Sequence, residues 1–185
     1  MSAIIVAVII AILLIMVIGL YNSMVKLRNN RENAFADIDV QLRQRHDLIP
    51  QLVETVRGYA KHESSTLQAV VEARSGAMQA SSIDEKIAAE NKLSSALQGL
   101  KVTIESYPDL KANQSFMHLQ EEVADVENKL AASRRYFNSA TKEYNNRIQT
   151  FPANIMAGPF NFHKETFFEL GVERTVISEV PKIQF

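Results

Sequence analysis

The chain has 185 residues, with 20 Lys and Arg against 21 Asp and Glu, so it has room for a modest core and almost no net charge. That balance argues against nucleic acid as the main partner. The lack of cysteine excludes disulfides, thiolate metal sites and cysteine nucleophiles, and the lack of Trp with only six Gly suits helices better than a sandwich or barrel.

The first element is the apolar run AIIVAVIIAILLIMVIGL, residues 3–20, which holds no charged side chain. As helix it rises about 27 Å, close to the hydrocarbon thickness of a bilayer. Its Ile, Leu and Val side chains favour insertion by roughly 4 to 8 kcal/mol. A cleaved signal peptide needs a basic segment before the run and a small-residue cleavage site after it. Here Met1 and Ser2 precede the run and Tyr21-Asn22 follow it, so an uncleaved single-pass anchor over residues 1–21 is expected, with membrane lipid as its partner through residues 3–20. Lys26, Arg28 and Arg31 flank it on one side only. The positive-inside rule then leaves the short N-terminus outside and the rest in the cytoplasm.

After the anchor the apolar residues recur with alternating spacings of three and four. Phe35, Ile38, Leu42, Arg45, Ile49, Leu52, Val56, Tyr59 and Glu63 form the first seam, and a helix is expected over 22–79. Pro50 interrupts it chemically but not in phase. Asp47 could cap a fresh helix with Pro50 in its first turn, whereas the unbroken phase favours a continuous helix kinked at Pro50. In that case the His46 carbonyl loses its usual donor, and a side chain or water should replace it. Ser82 and Glu85 have the spacing of a capping box and open a second helix, 83–106, carrying Ile87, Leu93, Leu97, Leu100 and Ile104. Pro108 closes it. A third helix, 112–150, bears the seam Phe116, Leu119, Val123, Val126, Leu130, Ser133, Phe137, Ala140, Tyr144 and Ile148. The bundle is thus assigned to 22–150. Residues 151–185 read as a mostly irregular tail whose Phe160, Phe162, Phe167, Phe168 and Phe185 are too aromatic for a solvated segment. The tail should dock on the bundle or on a neighbour. The fold class is all-α: a transmembrane helix continuing into an antiparallel bundle of three long helices.

Catalytic and metal signatures are missing. His46, His62, His118 and His163 form no HExxH, and the residues three before each are Arg43, Tyr59, Ser115 and Phe160, so the Glu-x-x-His di-iron pattern is absent. The reversed pair His118 and Glu121 is weak, and the histidines read as surface or capping residues. No phosphate loop or serine elbow occurs, and Glu121, Glu122, Asp125 and Glu127 read as a solvated face. No catalytic, cofactor or metal residue is expected, and no enzyme. Arg45 and Glu63 stand at seam positions, where a polar residue either sets register or snorkels at the seam edge. Asn22, Asn29 and Asn33 share one face, and Asn138 and Asn145 another; both sets suit cross-helix hydrogen bonds or water.

The segments YN (21–22), RNNRENAFADIDVQLRQRHDLIPQLVETVRGYAKHE, EARS, YPDLKAN, RRYFN, EYNNRI and FPAN, in this order, resemble the LemA family over almost the whole chain. The one departure is Phe137 between Tyr136 and Asn138, where the family pattern has Tyr directly before Asn. The resemblance implies a membrane-anchored helical bundle in bacteria, no established active site, and relatives associated with envelope-stress genes and magnetosome membranes.

Two functions then compete: a self-assembling scaffold in the inner membrane that organises or protects the envelope, and a regulatory adaptor for a membrane protease or signalling partner. Helix lengths favour assembly. A first helix of about 87 Å is too long for a second of about 33 Å to cover. The stretch with Phe35, Ile38 and Leu42 should therefore stay open, as should Phe137, Tyr144 and Ile148 at the far end of a third helix running outward. Two open stripes suit a homo-oligomeric ring or filament. The flank charges give the first test: a reporter active only in the cytoplasm, fused after Phe185, should give signal, and a reporter active only after export should be silent. The reverse pattern refutes the orientation.

Overall fold

The computed structural model describes residues 1–60 and 62–169. Among these, six helices and no strand occur: α1 Ser2–Tyr59, α2 Ser64–Gln79, α3 Ile83–Ile104, α4 Pro108–Lys111, α5 Gln114–Gln149 and α6 Ala153–Ala157. The chain divides into two compact units. One holds Met1–Asp37 and Ser133–Phe167; of the described residues, the other holds Ile38–Ala132 with Phe168 and Glu169. Within the sequence expectations, Phe185 and the Gly171 and Pro181 of the tail lie outside the described residues.

Helix α1 runs through Pro50 without interruption. The donor that proline removes is replaced by a side chain: Arg74 Nε of α2 donates to the His46 carbonyl at 2.7 Å. The helix starting anew at Asp47 is thereby excluded. The helix expected over 22–79, however, is two helices. The Ala60 N–H still donates to the Val56 carbonyl at 2.8 Å, but the Glu63 N–H turns back to the Ala60 carbonyl at 3.1 Å, and α2 begins at Ser64. The apolar phase concealed this turn. Val56, Ala60, Leu67 and Val70 are all buried in one cluster, because two antiparallel helices facing the same core can keep the spacing that one continuous helix would show.

The extra reversal changes the direction of every later helix. In the second unit Asp39 meets Lys86 and Arg45 meets Glu90 and Ser94, so α3 runs parallel to α1. Helix α5 then runs back: Asn113, just before it, binds the Tyr59 hydroxyl, and Glu127 reaches Arg45. In the first unit the same antiparallel order holds, with Arg31 against Thr141 and Phe35 against Phe137.

Local chemistry agrees with these boundaries. Ser82 and Glu85 form the expected capping box. The Ser82 and Ser81 backbone N–H groups, with the Ser81 hydroxyl, hold the Glu85 carboxyl down to about 2, as charge-assisted caps do. Pro108 sits at the start of α4, where its missing N–H has no helical partner to lose. Much of each seam is buried, with Ile38, Val56, Leu93, Leu100 and Phe116 in the second unit and Phe137, Tyr144 and Ile148 in the first; Leu97 and Val123 are half-buried, and Tyr59, expected in the first seam, is exposed.

The two stripes expected to lie open are covered within the chain. Phe35, Ile38, Leu42, Phe137, Tyr144 and Ile148 are all buried. The argument from lengths fails because it counted one reversal too few: α5 returns along α1 instead of running outward past it. Ile38→Glu or Leu42→Glu, which an open stripe would tolerate, should therefore bury an unpaired charge and destabilise the second unit by at least about 4 kcal/mol. Urea denaturation followed by circular dichroism measures this; a folded variant of unchanged stability refutes the burial argument.

Candidate functional site

The strongest concentration of buried polar groups lies in the second unit, around Arg45. Its position in the α1 seam turns the guanidinium inward, and the side chain is almost wholly buried. Nη1 donates to Glu90 Oε2 at 3.0 Å and Nη2 to Ser94 Oγ at 3.0 Å, while Nε lies 2.8 Å from Glu127 Oε1. The other oxygen of Glu90 stands 2.6 Å from His46 Nε2. Glu90 is 1% exposed, so its carboxylate exchanges water for two side chains of α1. Three helices meet here: α1 gives Arg45 and His46, α3 gives Glu90 and Ser94, α5 gives Glu127. Arginine suits the position because its planar fork holds several acceptors in fixed directions. Arg45 thus does not snorkel: its head lies in the core.

Beside this cluster Asp39 pairs with Lys86 at 2.6 Å and with Arg43 at 3.3 Å. Burial pushes its carboxyl up, but Lys86 and Arg43 outweigh it, and the net displacement is downward. Glu63, the other polar seam residue, caps no core position. It stands at the start of α2 and accepts from the Tyr107 hydroxyl at 3.3 Å.

A second node, in the first unit, fixes the tail. Arg31 is 4% exposed. It pairs with Glu165 at 3.0 Å, donates to Thr141 Oγ1 at 3.3 Å and to the Thr166 carbonyl at 3.4 Å, and lies 4.9 Å over the Phe137 ring. Phe137 in turn meets Phe35 edge-on at 5.5 Å. Asn145 binds the Glu165 backbone from both sides, donating to its carbonyl at 2.9 Å and accepting from its N–H at 2.8 Å. That is the pairing of a strand neighbour made by one side chain. Asn145 therefore fits neither expectation: it is buried, and it binds the irregular tail of its own chain instead of another helix or water. Burial pushes the adjacent Tyr144 phenol up, aided by Glu165 and opposed by Arg28 and Arg31.

The third feature is the end of the first unit where α1 leaves the apolar run. Leu20, Met24, Tyr144, Ile148, Ala153, Ala157 and Phe162 form a small core. Tyr21 packs against Phe160 at 5.3 Å and Phe162 at 5.8 Å, and Arg28 lies 5.0 Å over the Phe162 ring. The expected docking of the tail thus takes place on its own chain for the described residues, and α6 adds a short helix where irregular structure was expected.

Chemically these places hold and orient. His46, expected at a surface or cap, is buried against Glu90; His62, His118 and His163 are exposed. Among the described residues no group of three metal-ligating side chains comes together. Two adjoining open grooves of about 410 and 310 Å³ follow α1 and α2, sharing Arg57 and Val71, with Pro50, Val53, Leu67 and Arg74 along them.

Glu90, Ser94, Arg74, Arg31 and Thr141 escaped the sequence reading. Glu90 left a trace: the α3 seam steps from Ile87 to Leu93 with a gap that position 90 fills. A carboxylate in an apolar seam marks a partner for the guanidinium in another. Arg31 had a trace too, since it stands two heptads before Arg45 on the same face of α1.

The family model described as the LemA family matches residues 34–185. A protein LemA of Metamycoplasma hominis is 24% identical over 156 residues, covering 82% of this chain and 70% of its own length. Magnetosome protein MamQ of Magnetospirillum gryphiswaldense is 22% identical over 174 residues, 80% of this chain. Magnetosome protein MamQ 1 of Paramagnetospirillum magneticum is also 22% identical, over 175 residues. The match spans 64% of each of these two magnetosome proteins.

Truncating one member of a buried ion pair leaves the other uncompensated. Glu90→Ala should cost about 3 to 5 kcal/mol, and Arg45→Met with Glu90→Leu should regain most of that loss, because Glu127 can turn to water. Thermal and urea unfolding of the two variants decide this; equal stability of Glu90→Ala and the unmodified chain shows that the cluster holds nothing.

Proposed function

Because the chain belongs to the LemA family, we propose that it is a membrane-anchored structural protein, a helical post that scaffolds other components at the bacterial inner membrane. The observation that carries this reading is the continuity of α1. One helix is first an apolar run long enough to cross a bilayer and then contributes buried side chains to the core of each unit. A signalling domain on a flexible tether needs no such coupling; a support does. The names of two relatives, both magnetosome proteins, fit a role at membranes. By the positive-inside rule, the flank charges of Lys26, Arg28 and Arg31 support a cytoplasmic position for the helical part. The uncovered stripes that pointed to a ring are covered in the chain, so the scaffold reading rests on α1 and not on self-association through those seams.

Polarised infrared spectroscopy of the full chain in oriented bilayers tests the reading. Helices packed on the anchor helix in the first unit give amide dichroism along its axis. Isotropic bundle helices beside an ordered anchor refute the post. Extraction in mild detergent as a fixed-ratio complex with a different protein replaces it with the adaptor.

A further inference from the structure

Three side chains of the turn after α5 are apolar, large and open: Phe151, Ile155 and Phe160 are 79%, 66% and 47% exposed. They belong to the first unit and surround α6, whose Ala153 and Ala157 are packed in one core with Leu20 and Met24 of α1. Leu20 is the last residue of the apolar run. Val17, one turn earlier on the same face, is half-buried, whereas the other residues from 1 to 19 are exposed. The chain's own cover therefore reaches into the run. Phe160 touches Tyr21, the first residue beyond it.

Height is thus fixed by contact. A bilayer is about 40 to 45 Å thick around a core of about 30 Å, so each headgroup layer is about 5 to 8 Å deep. One helical turn is about 5.4 Å. Side chains level with residues 20 to 24 fall in that layer when 3–20 spans the core. Tyr is favoured there, and Phe and Leu side chains of interfacial helices sink into the boundary between headgroups and acyl chains. Phe151, Ile155 and Phe160 are exposed beside that small core, and in a chain anchored by 3–20 an exposed side chain at that height would meet lipid. Lys26, the next exposed cation along α1, stands where phosphate groups would be.

We propose that the turn with α6 is a second membrane contact, a foot whose Phe151, Ile155 and Phe160 enter the interfacial layer of the bilayer that α1 crosses. This rests on the membrane-anchored reading above. A single crossing helix fixes a protein's depth but lets it lean. A foot bound to α1 through Leu20, Met24 and Tyr21 resists leaning toward its own side.

The chain has no cysteine, so single-cysteine variants carry one environment-sensitive fluorophore each. The full chain is reconstituted in vesicles of phosphatidylcholine and phosphatidylglycerol holding nitroxide lipids, with the nitroxide either shallow or deep. Four variants serve: Ile155→Cys and Phe151→Cys in the foot, Leu13→Cys in the anchor, and Ser139→Cys on the exposed face of α5. The expected result is blue-shifted emission at 155 and 151, quenched mainly by the shallow nitroxide. Leu13→Cys should be quenched by the deep one and Ser139→Cys by neither. Labels at 155 and 151 with water-like, unquenched emission, beside a quenched label at 13, overturn the foot and leave the anchor standing. Blue-shifted but unquenched labels there also overturn it, in favour of a protein covering the turn. An unquenched label at 13 overturns the anchor itself.

Discussion

A stripe of apolar side chains runs along α1 from Leu20 to Val56, about 54 Å of helix, and it has to be kept from water along its whole length. Among the described residues, α5, with 36 residues, is the element after α1 with the same reach. In the first unit its later half covers Met24 and Phe35 with Ile148, Tyr144 and Phe137. In the second unit its earlier half joins α2 and α3 around Ile49, Val53 and Val56. The number of reversals follows from this need: α5 must run against α1, so α2 and α3 must make one complete excursion between them. The turn at 60–63 is what makes the excursion even.

Polar groups then fix how the helices meet. Arg31 and Arg45 stand on the same face of α1, and each is the centre of one unit's buried polar contacts. An apolar seam tolerates a shift of one heptad at small cost. A shift that separates Arg45 from Glu90, or Arg31 from Glu165, strands a charge in the core. Such pairs add little net stability over apolar ones, and their physical effect is to penalise wrong registers. The His46 carbonyl, freed by Pro50 and taken by Arg74, acts in the same way on α2, since one height alone offers that acceptor.

Much of this was legible in the residues. Apolar periodicity gave the helices and both seams, Ser82 with Glu85 gave a start, and Pro50 announced its own missing donor. What was not legible was the turn after Tyr59, because a tight reversal between helices that share a core leaves the spacing of Val56, Ala60, Leu67 and Val70 undisturbed. Gly58 and the run Ser64-Ser65-Thr66 were its only local signs, and weak ones. From that single omission followed the wrong direction for α5 and the open stripes. The partners of Arg45 and Arg31 were hidden for a different reason: an ion pair between distant segments has no period, and only a fold brings residues 45 and 90, or 31 and 165, to one place.

The distance along the chain between Arg31 and its partners has a consequence for biosynthesis. Arg31 binds Thr141 and Thr166 across 110 and 135 residues. The apolar run and the stripe behind it leave the ribosome first, and the residues that cover the stripe in the first unit leave last. At about 5 to 20 residues per second, that half of α1 waits roughly 5 to 20 s for its cover. The contacts that α1 makes with the later residues of that unit are of high sequence separation, which slows folding further. The second unit, with α2 and α3 close behind α1, meets its partners sooner, so the end beside the apolar run is completed after the end remote in sequence from it.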